Sequence, residues 1–283
     1  MTQLFSHLRV SSEYSISQGL LTVDQIVDNA IQNSVPSVAL TDKSNMFGLV
    51  KFFNKCESAG IKPISGSSIR LIFDDDDTSY ELLCLAKTNN GHKNLMKIIS
   101  NAHNNSLFNF PIIRFNDLIE LKDDIIVISG GKDSHIFEYL KSNNISDASK
   151  RIDDFRNSFG DNFVLDVQLT NRIDEIEYLK NVLPIAKDKG IPLIATNDVL
   201  FAEQDDYEIH ETKVCINTGK TLNDPNRERV FSEHQYFKSP QEMTELFKDY
   251  DSLIDNTNEI SKKCNVSLET KGYFLPEYPV PKK

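Results

Sequence analysis

The sequence predicts an α/β fold on a mainly parallel sheet, closed as a barrel or open and doubly wound. Three observations lead there. Short apolar runs of strand character alternate with helix-patterned stretches along most of the chain. Several of those runs end in a polar or charged residue, where parallel α/β proteins place their chemistry. With 283 residues, 39% of them hydrophobic and 26% charged, the chain can bury one large core or two smaller ones. Periodicity alone does not choose between barrel and open sheet.

The elements follow in order. "HLRVSS" (7–12) reads as the first strand. Thr22 and Gln25 make a capping box that opens a helix carrying Ile26, Val27, Ala30 and Ile31. "SVALTD" (37–42) is a second strand, followed by a helix with Leu49, Val50, Phe52, Phe53 and Cys56 on one face, ended by Gly60. "PISGSSIRLIF" (63–73) and "YELLCLAK" (80–87) flank "DDDDTS" and predict a hairpin, with a helical stretch over 92–105. "DIIVISGG" (124–131), "FVLDVQL" (163–169) and "IPLIATND" (191–198) are inner strands, separated by helices around 134–142, 146–159 and 174–189. Ser239-Pro240-Gln241-Glu242 combines a capping box with proline at the first helical position. The helix it opens is expected to reach about Cys264. Prolines 276, 279 and 281 make the last stretch an extended connector.

Composition narrows the function. The net charge is −11, from 42 acidic and 31 basic residues, which disfavours gripping a phosphate backbone. No run of 18 apolar residues occurs, and "MTQLFSHLRVSS" lacks a signal peptide's apolar core, so a cytoplasmic location without membrane contact is expected. The four cysteines form no C-x-x-C pair and the six histidines no H-x-H or H-E-x-x-H, which argues against structural zinc and a disulfide framework.

Chemistry-bearing residues collect at strand ends: Arg9 and Ser11, Asp42 and Lys43, Ser68, Gly130-Gly131, and Asn197-Asp198. A barrel would bring them to one rim. Asp42 and Asp198 could hold a hard cation, or cap their loops, or pair with Arg9 and Lys43. "DDDD" (74–77) lacks the ligand spacing of a calcium loop and reads as a solvated hairpin tip. "SGGKDS" (129–134) lacks the full phosphate-loop pattern and reads as a tight βα turn. "DNFVLDVQL" reads as core.

Together, "FSHLRVSSEYSISQGL", "ALTDKSNMFGLVKFFNKCESAGIKPISGSSI", "LAKTNNGHKNLMKIIS", "VISGG", "LIATNDVLF", "TGKTLNDPNR" and "ISKKCNVSL…YFLPEYPVP" resemble the polymerase-and-histidinol-phosphatase (PHP) domain of bacterial DNA polymerase III alpha subunits. The resemblance implies a distorted seven-stranded β/α barrel over residues 1–270, with 271–283 beginning the connector to a polymerase core. In intact members it implies a rim metal cluster held by H-x-H, T-D-H, a glutamate after "PI-G", the cysteine of S-G-C, and N-D-V-H. Here Arg9 and Ser11 stand at the H-x-H positions and Gln18 where an aspartate often lies. Lys43, Ser68, Gly131 and Leu200 replace the histidine, glutamate, cysteine and final histidine; Asp42 and Asp198 remain.

That pattern resembles the proteobacterial type. It implies no catalytic residues, no cofactor and no metal, and a structural module that docks the epsilon proofreading exonuclease beside the rest of the alpha subunit. Arg9 and Lys43 are expected to pair with Asp42 and Asp198 in the old metal cleft, Arg9 more strongly because of its forked guanidinium. The rival reading is a metal-dependent phosphoesterase or pyrophosphatase with a remodelled site using Asp42 and Asp198.

Overall fold

Seven strands are hydrogen-bonded into one curled sheet in the computed structural model, which describes residues 4–104 and 109–268. The first elements are α1 (Val23–Gln32), β1 (Ser37–Leu40), α2 (Leu49–Ser58) and the long hairpin β2 (Lys62–Phe73) and β3 (Asp76–Ala86). Next come α3 (Asn89–Asn104), β4 (Ile113–Arg114), α4 (Phe115–Glu120) and β5 (Ile125–Ile128). Then follow α5 (His135–Lys141), α6 (Ile145–Phe159), β6 (Phe163–Val167), α7 (Glu175–Lys189) and β7 (Leu193–Ala195). The last helices are α8 (Tyr207–Thr218), α9 (Pro240–Leu246) and α10 (Asp251–Lys263). The expected terminal connector over 271–283 lies outside the described residues.

The strand order is β1-β2-β3-β5-β6-β7, with β4 pairing the far end of β2. The ladders β1/β2, β2/β4, β5/β6 and β6/β7 are parallel; β2/β3 and β3/β5 are antiparallel. The sheet is therefore mixed rather than mainly parallel, because a hairpin places β3 against its neighbours. Residues 7–12 form isolated bridges instead of the expected full strand. His7 bridges Val38 and Val10 bridges Val199. Ala39 N donates to His7 O at 2.8 Å and Ser11 N to Val199 O at 2.9 Å, so this segment joins the first strand to the residues after the last. The architecture is a distorted β/α barrel.

The alternation of strand side chains separates an inner apolar cluster from two outer ones, the smaller of which joins Val38 and Leu40 to α1 and α2. Leu83, Leu85, Ile126, Ile128, Val164 and Ile194 form an inner cluster with Ile260 and Cys264 of the last helical stretch. Their neighbours Leu82, Cys84, Ile125, Val127, Phe163 and Leu165 face outward and pack with Leu95, Phe155 and Val182 of the surrounding helices. The Thr22 and Ser239 capping boxes both form as expected. The single helix expected from 239 to 264 is instead two. The chain turns over residues 247–250, so that Met243, Phe247, Leu253 and Ile254 are buried in the larger outer cluster and Ile260 in the inner one.

Of "DDDD", Asp74 and Asp75 turn at the hairpin tip while Asp76 and Asp77 already belong to β3. Neighbouring cations hold the turn: Arg114 Nη1 lies 2.9 Å from Asp74 and Arg151 Nη2 2.9 Å from Asp75. "SGGKDS" is a tight turn with Gly130 at φ +98° and Gly131 at φ +58°. Ser134 caps α5 by accepting from Phe137 N at 3.1 Å. Among the described residues, no helix is long and apolar enough to cross a membrane.

Candidate functional site at the barrel rim

The chain at the end of β1 turns beneath the loop 12–15, and this decides what Asp42 does. Its carboxylate accepts from Ser12 N and Ser12 Oγ, each at 2.7 Å, and from Ser15 Oγ at 2.6 Å. Burial pushes the carboxyl up from its ordinary value, against the lowering effect of those donors. Lys43, the next residue, points elsewhere. Its Nζ lies 2.8 Å from Glu81 Oε2, while the other oxygen, Oε1, accepts from Arg9 Nη1 at 3.1 Å.

Glu81 is thus the hub of the rim. It sits midway along β3, which runs antiparallel to β2 and β5, so the strand residues before Leu83 and Leu85 lie towards the rim that the parallel strands reach with their C-terminal ends. Burial disfavours the Glu81 carboxylate, but Lys43 and Arg9 outweigh it and hold the group down to about 2. Both cations are held up for the reciprocal reason. Burial opposes the Arg9 charge, and Asp166, Glu81 and Asp198 overcome it; burial likewise opposes Lys43, and Glu81 overcomes it. Arg9 is 2% exposed and Glu81 11%, so this is a buried pair rather than a surface one.

Asp166 closes the cluster from below. Its Oδ2 is 3.8 Å from Arg9 Nη2 and accepts from Thr196 Oγ1 at 2.9 Å. Its Oδ1 accepts from Ser129 Oγ and from Gly131 N, both at 2.8 Å. Asp198 lies apart, accepting from Gln235 Nε2 at 2.8 Å with Arg172 Nη1 at 3.7 Å. Arg172 also holds Glu175 at 3.0 Å.

The expected pairing of Arg9 and Lys43 with Asp42 and Asp198 is therefore not formed. Serine donors already satisfy Asp42, Arg172 serves Asp198, and the two cations converge on Glu81. Gln18, Lys43, Ser68 and Glu81 line one open cleft of about 400 Å³. Ser11 and Leu200 are buried beside it, tied by backbone bonds to Val199 and Gln235. Gly131 contributes its amide to Asp166. Sequence reasoning missed Glu81, Arg172 and Glu175, and read Asp166 as core. A signal was there: Glu81 shares a strand face with Leu83 and Leu85, and Asp166 with Val164, all inward-facing. A carboxylate on the buried face of an apolar strand requires a partner.

The residues present make a poor cradle for a metal cluster. Among the described residues, no group of three or more histidine, cysteine, aspartate and glutamate side chains is placed to hold a metal ion. Asp42, Glu81, Asp166 and Asp198 already accept from cations, hydroxyls or amides.

This rim, on this barrel, belongs to a known class. Residues 7–170 match the PHP domain family, and the chain belongs to that family. Its curated relatives are DNA polymerase III alpha subunits. It is 39% identical to the one from Pseudomonas aeruginosa over 99% of this chain and 24% of the relative. It is 38% identical to the one from Escherichia coli K12 over 97% and 24%. The chain spans about a quarter of the length of those relatives. Among solved structures, an amidohydrolase from Chromobacterium violaceum superposes with a TM-score of 0.54 at 10% identity, covering 74% of this chain and 96% of that one, a likeness of fold alone.

Proposed function

We propose that this chain is the PHP module of a DNA polymerase III alpha subunit whose rim holds ion pairs where active relatives hold metals. In this reading it is a structural part of the polymerase and the docking platform for the epsilon exonuclease; it carries out no phosphoryl chemistry and binds no DNA itself. The observation supporting it is the double use of Glu81. A carboxylate bridging Arg9 and Lys43 has both oxygens occupied, and two fixed cations repel a divalent ion. The docking role rests on the relationship to alpha subunits alone.

Metal analysis of the purified chain, with a phosphatase assay in added Mn²⁺ or Zn²⁺, tests the first part. The expected result is no tightly bound transition metal and no turnover; stoichiometric metal with turnover would overturn it. Calorimetry with the cognate epsilon C-terminal peptide tests the second. Micromolar affinity or better is expected, roughly −8 kcal/mol, and an absence of heat well above that concentration would refute it.

A further inference from the structure

We infer that Lys238 is the cation of a second site, beside the rim cluster, that binds a small oxyanion: a carboxylate or a phosphate group. The inference starts from an imbalance of charge. Arg9, Arg151, Arg172 and Arg227 are all at least nine-tenths buried, and each holds a carboxylate in an ion pair. Lys238 is just as buried, at 5% exposed, yet among the described residues no carboxylate comes within 4.0 Å of its ammonium.

Its contacts are neutral. Nζ donates to Asn197 Oδ1 at 3.3 Å and to the carbonyl of His234, and lies 4.3 Å from the centroid of the Tyr236 ring. The neighbouring acids are engaged elsewhere. Glu175 accepts from Thr170 and Arg172, and Glu242 from Ser239 and Tyr236. Burial lowers the Lys238 ammonium to about 8 despite the pull of Glu242 and Glu175, neither of which is in contact with it.

Lys238 lines a cavity of about 430 Å³, within the size range of small-molecule sites. Leu169, Ile176 and Leu246 supply apolar walls, and Arg172 and His234 also line the cavity, the guanidinium engaged with Glu175, Gln168 and Asp198. Glu175 is the only carboxylate among the lining residues, and Thr170 and Arg172 neutralise it. A buried ammonium with no carboxylate in contact, beside apolar side chains, fits a compact oxyanion.

The test is thermal melting of the 283-residue chain in sodium phosphate and in sodium acetate, each matched in ionic strength to chloride, alongside Lys238→Met. We expect a saturable rise of about 2–4 °C at roughly ten times the dissociation constant, absent in the variant. A response to phosphate alone assigns a phosphate site, and one to acetate alone a carboxylate site. A response to both assigns the shared chemistry. No response, or an equal response in Lys238→Met, overturns the site. If Lys238→Met does not fold, the Lys238 side-chain nitrogen resonance decides. Its displacement by phosphate or acetate supports the site, and an unmoved signal overturns it.

Discussion

Glu81 carries two cations on one carboxylate, so its loss should be felt twice. Glu81→Gln leaves Arg9 buried against a neutral amide and Lys43 unpaired. A cost of about 3–5 kcal/mol is expected, read as a lower denaturant midpoint, since breaking one side of a buried pair strands the other. The double change Arg9→Ala with Glu81→Ala should cost less than the two single changes summed, and strict additivity would contradict the bridge. Arg9→Ala with Asp198→Asn should come closer to additive, because Arg172 and Gln235 hold Asp198. At this scale the sequence was half legible. Arg9, Lys43 and Asp42 announce themselves by standing where strands end. Glu81 does not, because it lies midway along a strand whose reversed direction is a tertiary fact.

At the scale of elements, the turn after β5 (Ile125–Ile128) and the strand carrying Glu81 are fitted to each other. A Cβ added to Gly130 would sit 2.2 Å from the backbone carbonyl oxygen of Glu81, and Gly130 has φ +98°. Gly130→Ala should therefore destabilise by at least about 2 kcal/mol, combining left-handed strain with a backbone clash, and should loosen the Glu81 pair. Hydrogen exchange at β3 amides checks both effects. Ser239→Ala removes an acceptor for Glu242 N at 3.2 Å and half of a capping box, for an expected loss of about 1 kcal/mol in thermal melting. Capping signals were read correctly because they are local. The break between α9 (Pro240–Leu246) and α10 (Asp251–Lys263) was not, because nothing within residues 247–250 forbids a helix. The need to bury Phe247 in one cluster and Ile260 in another breaks it.

For the whole molecule, buried titratable groups set the response to acid. Burial lowers His7 to about 4, and burial with Arg151 lowers His135 to about 4, while Glu81 is held near 2. All three bind protons more readily when unfolded. Stability should hold above about pH 6.5, fall between about 6.5 and 4 as the histidines favour the unfolded chain, and fall again from about 4.5 towards 2 through Glu81. His135→Phe, which keeps a ring between Tyr80 and Tyr139, should flatten the first part of a melting-temperature profile. The α/β class was legible from alternating runs and the barrel from the family resemblance, but not its closure by isolated bridges. That closure sets a schedule for folding during synthesis. Ser6 Oγ donates to Asn258 Oδ1, 252 residues later, and Asn258 Nδ2 to Leu4 O at 2.6 Å. At about 5–20 residues per second, the segment around Leu4 and Ser6 waits roughly 13–50 s for those partners to be synthesised. Until then the slot between β1 (Ser37–Leu40) and Val199 cannot be fully sealed, and the nascent barrel presents an open edge to whatever chaperone or neighbouring chain meets it.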